Sequence, residues 1–155
     1  MNSPELHRSY MAVALAQARL AAPIGEVPVG AVVVRDGAIL SVAHNRRETG
    51  ADPTAHAELL AMREAALAQG HWRLDGCTVY VTLEPCAMCA GAMVNARVRM
   101  CVYGAADPKG GFLGTLGDLS QHPALNHRFE VVPGVEAEEC AALLRSFFQD
   151  LRRRR

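Results

Sequence analysis

Any fold that uses this chain's most reactive side chains has to bring two separated segments to one point. These are His56-Ala57-Glu58 and Pro85-Cys86-Ala87-Met88-Cys89. His56, Cys86 and Cys89 are ligand types that zinc takes, and a tetrahedral ion with three protein ligands keeps its fourth position for water, as catalytic sites do. Water in that position is acidified from about 15.7 to about 7 and becomes a nucleophile for an electron-poor ring carbon. Glu58 is then better used as a base than as a ligand. A hydrolytic deamination must carry protons from the water to a ring nitrogen and to the departing ammonia.

The spacing of apolar residues and breakers predicts a frame for the two segments. Ser3-Pro4 opens a helix that stops at Pro23 and Gly25. Residues 29–35 and 38–43 read as a hairpin joined by Asp36-Gly37, a strong short-range turn signal. Asp52-Pro53-Thr54 is expected to cap a second helix that runs to about Gln69. Residues 77–83 form a strand, 85–96 a helix with Pro85 in its first position, and 98–103 another strand. A Gly-rich loop over 104–117, a strand at 129–132 and a helix over 136–151 complete the chain. Helices alternating with apolar strands predict an α/β domain: three layers, α/β/α, around a five-stranded mixed sheet.

Composition narrows the class. A chain of 155 residues is one domain by length and buries roughly 68–70% of its unfolded surface. One domain is expected over 1–151, with a basic tail over 152–155. No apolar run reaches the ~18–20 residues of a membrane span, and no leader pattern opens the chain, so the expected location is cytoplasmic, without a membrane partner. Five cysteines, two of them in a CxxC, favour metal binding over disulfides and leave Cys77, Cys101 and Cys140 as buried thiols. Sixteen basic and sixteen acidic residues cancel, so any nucleic acid would be recognised locally. Arg152-Arg153-Arg154-Arg155 reads first as a solvated end.

Each segment alone leaves other readings open. CxxC between a strand and a helix also suits a thiol–disulfide oxidoreductase, and a structural zinc site would need a fourth ligand, for which His44 and Cys101 are candidates. His56 and Glu58, about 200° apart on an ideal helix, share a site only if the metal sits near the helix end. The two segments together, in this order and each at a helix start, form the signature of zinc nucleobase deaminases.

Longer blocks carry a resemblance. Glu26-Val27-Pro28-Val29-Gly30-Ala31, the run Asp52 to Glu58, the run Thr82 to Met93, and His122-Pro123-Ala124-Leu125-Asn126-His127 together resemble the bacterial tRNA-specific adenosine deaminases. The resemblance implies a cytidine-deaminase-like fold, one catalytic Zn²⁺ per chain, a homodimer and no nucleotide cofactor. It also implies a tRNA anticodon stem-loop as partner, with the wobble adenosine of an arginine tRNA converted to inosine. Zinc deaminases of free guanine, cytosine or dCMP share the short motifs and remain the alternative.

By the same resemblance Glu58 is catalytic, His56, Cys86 and Cys89 hold the metal, and Asn45 hydrogen-bonds the flipped base. Val29 and Leu83 would wall the pocket or else be strand core. Ala57, Asp107, Lys109, His122, Asn126 and Phe148 are implied as substrate contacts, with Phe147 and Phe148 either stacking near the anticodon or packing on the sheet. The loop Ala105-Ala106-Asp107-Pro108-Lys109 departs from the usual pattern: Ala106 stands where a basic residue is common, and Pro108 follows the aspartate.

Overall fold

The computed structural model describes residues 3–154. Helix α1 spans Pro4–Ala21; Ser3 caps it by accepting from the Leu6 N–H at 3.1 Å, with Pro4 in the first turn where no N–H is needed. Strands β1 (Gly30–Arg35) and β2 (Ala38–His44) form the expected hairpin. Asp36 and Gly37 both take positive φ, 50° and 77°, as a type I′ turn demands. Helix α2 (Ala57–Gln69), β3 (Cys77–Leu83), α3 (Ala87–Ala96), β4 (Met100–Ala105), β5 (Glu130–Val132) and α4 (Ala137–Arg153) follow.

The sheet has the order β2-β1-β3-β4-β5 and is mixed: β1 runs antiparallel to β2 and β3, whereas β3, β4 and β5 run parallel. Its central strands are buried on both faces, and alternation sorts their side chains between two cores. Val32, Val34, Tyr80, Met100 and Val102 pack with Met11, Leu15 and Cys140 from α1 and α4. Ala31, Val33, Val79, Val81, Cys101 and Tyr103 pack with Ala61, Met62, Ala90 and Met93 from α2 and α3. The result is the expected three-layer α/β/α domain. Gly30 allows α1 to lie directly on β1, because a Cβ there would overlap the Ala14 carbonyl.

Several boundaries differ from expectation. The second helix starts at Ala57 rather than near Asp52, whose Oδ1 instead accepts from the Thr54 N–H at 2.8 Å and hydroxyl at 2.7 Å, a local turn that competes with helix. The third helix starts at Ala87, so Pro85 lies outside it and Cys86 is the N-cap. The fourth strand begins at Met100 because Arg97, at φ 64°, ends α3 in the left-handed conformation and Val98 N–H still bonds back to Met93. Gly104 belongs to that strand and not to the loop; a side chain there would strike Cys140 of α4. The last strand is shorter by Phe129, and α4 carries Arg152 and Arg153, while Arg155 lies outside the described residues. No described helix is long and apolar enough to cross a membrane.

Candidate active site

The parallel strands β3 and β4 end on one side of the sheet, and the chain leaving β3 turns at once into α3. That turn puts Cys86 at the N-cap and Cys89 in the first turn, where the positive end of the helix favours thiolate. The start of α2 arrives at the same point. His56 is its N-cap, with extended backbone (φ −78°, ψ 147°), and Glu58 lies in the first turn. Because His56 stands outside the helix, the 200° separation of an ideal helix does not apply, and the two side chains reach one site.

His56 Nδ1 lies 3.6 Å from Cys86 Sγ and 3.5 Å from Cys89 Sγ, and the three donor atoms fall within 4.8 Å of one another. With Zn–S near 2.3 Å and Zn–N near 2.0–2.1 Å, a tetrahedral angle puts nitrogen and sulfur about 3.6 Å apart. The donor set therefore fits zinc in type and in spacing. Among the described residues this is the one such group of His, Cys, Asp and Glu, and neither His44, Cys101 nor Glu58 belongs to it. Three ligands and no fourth match a catalytic arrangement rather than a structural one.

The two sulfurs share one hydrogen bond, which holds the Cys86 thiol down at about 4 and pushes the Cys89 thiol up. Hydrogen bonding to Cys86 raises His56. Glu58 is 4% exposed, and burial pushes its carboxyl up to about 7, in the range where a group can both take and give a proton.

A cavity of about 240 Å³ opens beside these groups, walled by Val27, Val29 and Leu83 and edged by Asn45, Arg47, Asp107 and Phe148. Asn45 Oδ1 accepts from the Ala57 N–H at 2.9 Å, which fixes the amide and leaves its NH₂ as a donor. Val29 and Leu83 serve both expected roles, since they line the cavity and pack against the core of the α2 and α3 face. Ala57 is fully buried and gives its N–H to Asn45, so its side chain is not a cavity wall.

A second, more apolar cavity of about 860 Å³ shares Val27, Leu83, Asp107 and Phe148 with the first and is edged by Lys109, Arg145 and Arg152. The aromatic pair divides its tasks. Phe148 faces these cavities, whereas Phe147, edge-on to it at 5.3 Å, lines a separate cavity with Ala22 and Pro28, past the end of α1. His122 and Asn126 are exposed in the loop before β5 and line neither cavity; His122 Nδ1 accepts from Ala124 N–H at 3.1 Å.

Four residues given no role from the sequence shape this site: Val27, Arg47, Glu26 and Glu84. Glu26 is 1% exposed and accepts from the Glu48 and Thr49 N–H groups at 3.1 and 2.6 Å, which fixes the loop that carries Asn45 and Arg47. Glu84 does the same for the loop that carries Asp107. Their sequence signal is a lone acid inside an apolar run, Glu26-Val27-Pro28-Val29 and Thr82-Leu83-Glu84-Pro85. Arg47, among several loop arginines, carries no such signal.

A buried glutamate beside a His/Cys/Cys group at the sheet of a three-layer α/β/α domain defines the hydrolytic deaminase class. The model of the MafB19-like deaminase family matches residues 5–152. A tRNA-specific adenosine deaminase of Bacillus subtilis is 53% identical over 146 residues, covering 94% of this chain and 91% of that protein. Its counterpart in Aquifex aeolicus is 45% identical over 92% of this chain and 94% of its own length. A solved structure from a study of A-to-I editing by tRNA:A34 deaminases superposes with a TM-score of 0.85 at 43% identity, over 88% of this chain and 99% of the other. A guanine deaminase from Nitrosomonas europaea shares the fold at a TM-score of 0.75 and 25% identity, over 90% and 83% of the two chains. The chain belongs to the family of bacterial tRNA-specific adenosine deaminases.

Proposed function

We propose that the protein deaminates the wobble adenosine to inosine in the anticodon loop of an arginine tRNA. The observation that carries this reading is the cavity in which Glu58 and the His56, Cys86, Cys89 group meet, in a chain that relatives named tRNA-specific adenosine deaminases match over nine-tenths of its length. The substrate base is already unpaired in an anticodon loop, so extruding it costs less than flipping it from a duplex.

His56 Nδ1 and the two sulfurs would hold zinc, which when bound supplies a water acidic enough to act as nucleophile near neutral pH. Glu58 would take a proton from the attacking water as its oxygen bonds to C6, and would deliver that proton to N1. Glu58 would then carry the remaining proton of the C6 hydroxyl to the amino group, so that the C6–N bond breaks, ammonia leaves and a carbonyl remains. Val29 and Leu83 hold the ring between apolar walls, and the Asn45 amide donates to it. Arg47 and Lys109 offset phosphate charge at the rim.

Asp107 is read as the sugar contact. A carboxylate only accepts, and the group that RNA has and DNA lacks is the donating 2′-hydroxyl. Its place is the ribose on the 5′ side of the target.

The test is inosine formation on an anticodon stem-loop against free adenosine, guanine and cytidine, with a stem-loop carrying one 2′-deoxy sugar 5′ of the target as a further arm. The expected result is turnover of the stem-loop alone, reduced roughly 10- to 150-fold by the deoxy sugar, the worth of a hydrogen bond to a charged group. Turnover of free guanine without the stem-loop would favour the second reading, a free-base deaminase, which rests on the guanine deaminase fold match.

A homodimer and a cytoplasmic location belong to the same proposal. An open apolar groove between α2 and α3, with Leu59, Met62, Ala66 and an exposed Trp72, supports the dimer. Light scattering should report twice the 16.7 kDa chain mass.

A further inference from the structure

Glu84 ends the run that leads into Pro85 and Cys86, and it is 2% exposed. Its oxygens are spent on one loop. Oε1 accepts from the Asp107 N–H at 3.0 Å and from the Thr115 hydroxyl, and Oε2 accepts from the Leu113 and Thr115 N–H groups, each at 3.1 Å. All of these donors are neutral. Gly111 passes so close that a Cβ there would overlap the carboxylate. Two backbone bonds close the wrap: Phe112 N–H to the Pro85 carbonyl at 2.9 Å and Glu84 N–H to the Ala105 carbonyl at 2.8 Å.

A carboxyl taken out of water is costly unless its acceptors are satisfied, and here satisfaction requires residues 107–115 to hold one shape. That shape brings Asp107 to the edge of both cavities. Glu84 borders the smaller cavity, but with 2% of its surface exposed and both oxygens used, its carboxylate is spent on the loop.

We infer that Glu84 is a positioning residue for the polynucleotide: it moulds the 107–115 loop so that Asp107 meets the ribose beside the target, and sugar discrimination therefore depends on a side chain that does not touch the RNA. This rests on the anticodon-loop reading given above. A glutamine at this position keeps the volume but offers one acceptor oxygen and turns an NH₂ toward N–H donors, so the loop loses its mould.

The test compares wild type, Glu84→Gln, Asp107→Asn and the double variant on all-ribose and single 2′-deoxy stem-loops, with zinc content measured alongside. For Glu84→Gln the expected result is a KM raised roughly tenfold or more, the scale of a lost hydrogen bond to a charged group. Its kcat should change little, zinc should stay at one per chain, and the deoxy penalty should shrink toward none. Asp107→Asn should add little in that background, since two residues acting through one contact are not additive.

Residue-resolved amide exchange gives an arm independent of activity. The Asp107, Leu113 and Thr115 amides should exchange faster in Glu84→Gln than in wild type. If Glu84→Gln does not fold, Thr115→Ala removes one of the four donors and should move KM and the deoxy penalty in the same direction. Unchanged exchange, or an unchanged deoxy penalty with faster exchange, overturns the inference. So does loss of zinc, which would assign Glu84 to Cys86 instead. If the wild type makes no inosine on any stem-loop, the functional reading falls, and the exchange arm still decides whether Glu84 holds the loop.

Discussion

Glu58→Ala should retain one zinc per chain and most of its affinity for an anticodon stem-loop while losing turnover. The carboxylate lies in the first turn of α2, outside the group of donor atoms that suits the metal, and lines the cavity that would take the base. On the proposed reading it would move protons rather than bind the ion. One general acid–base group is worth about 10²–10⁴-fold, and the proposed mechanism uses Glu58 at more than one step, so the loss should reach or pass the upper end of that range. Single-turnover inosine formation, elemental analysis and filter binding on the same preparation separate the three quantities. A variant that loses zinc but regains activity on re-metallation would show that the roles are reversed.

Cys86→Ala should empty the site and the activity together. Changing an outer partner of a metal ligand costs about 10–100-fold in affinity or activity, and removing a ligand itself costs more. Cys89→Ala should behave alike. Cys77→Ala and Cys140→Ala should keep both metal and turnover, because these thiols are buried in the sheet and helix cores and burial pushes them up, away from the thiolate form that ligates. Full metal occupancy in purified Cys86→Ala, measured by elemental analysis, would mean that the ligand is wrongly assigned.

The architecture was legible because its signals are local. Asp36-Gly37 specifies a turn whose twist suits a hairpin, Ser3-Pro4 caps a helix, and the valine runs of β1 and β3 fit strands covered on both faces. Boundaries slipped where a side chain offered the backbone another partner, as Asp52 did for Thr54. The residue types of the metal group were legible for the same local reason, since His56 and the Cys86–Cys89 pair are few and chemically distinctive.

Residue identity could not show how His56 and Glu58 meet. That follows from the extended backbone of His56, which takes it off the helix that carries Glu58. Nor could it divide Phe147 from Phe148: neighbours on one helix point about 100° apart, and only the packing of α4 decides which of them faces the cavity with Ala22 and Pro28 and which faces the candidate site.

The sequence by itself determined the element order, the donor set and the carboxylate that accompanies it, because capping, turn chemistry and ligand preference are properties of a few adjacent residues. Only the tertiary structure decided that Glu26 and Glu84 hold the two loops beside the cavity, that Arg47 reaches its edge, and that the exposed His122 and Asn126 do not line it. The physical reason is that a buried acceptor is satisfied by donors far away in the chain. Glu84 finds its partners 23 to 31 residues later, and such a pairing exists only once the sheet has brought the two segments together.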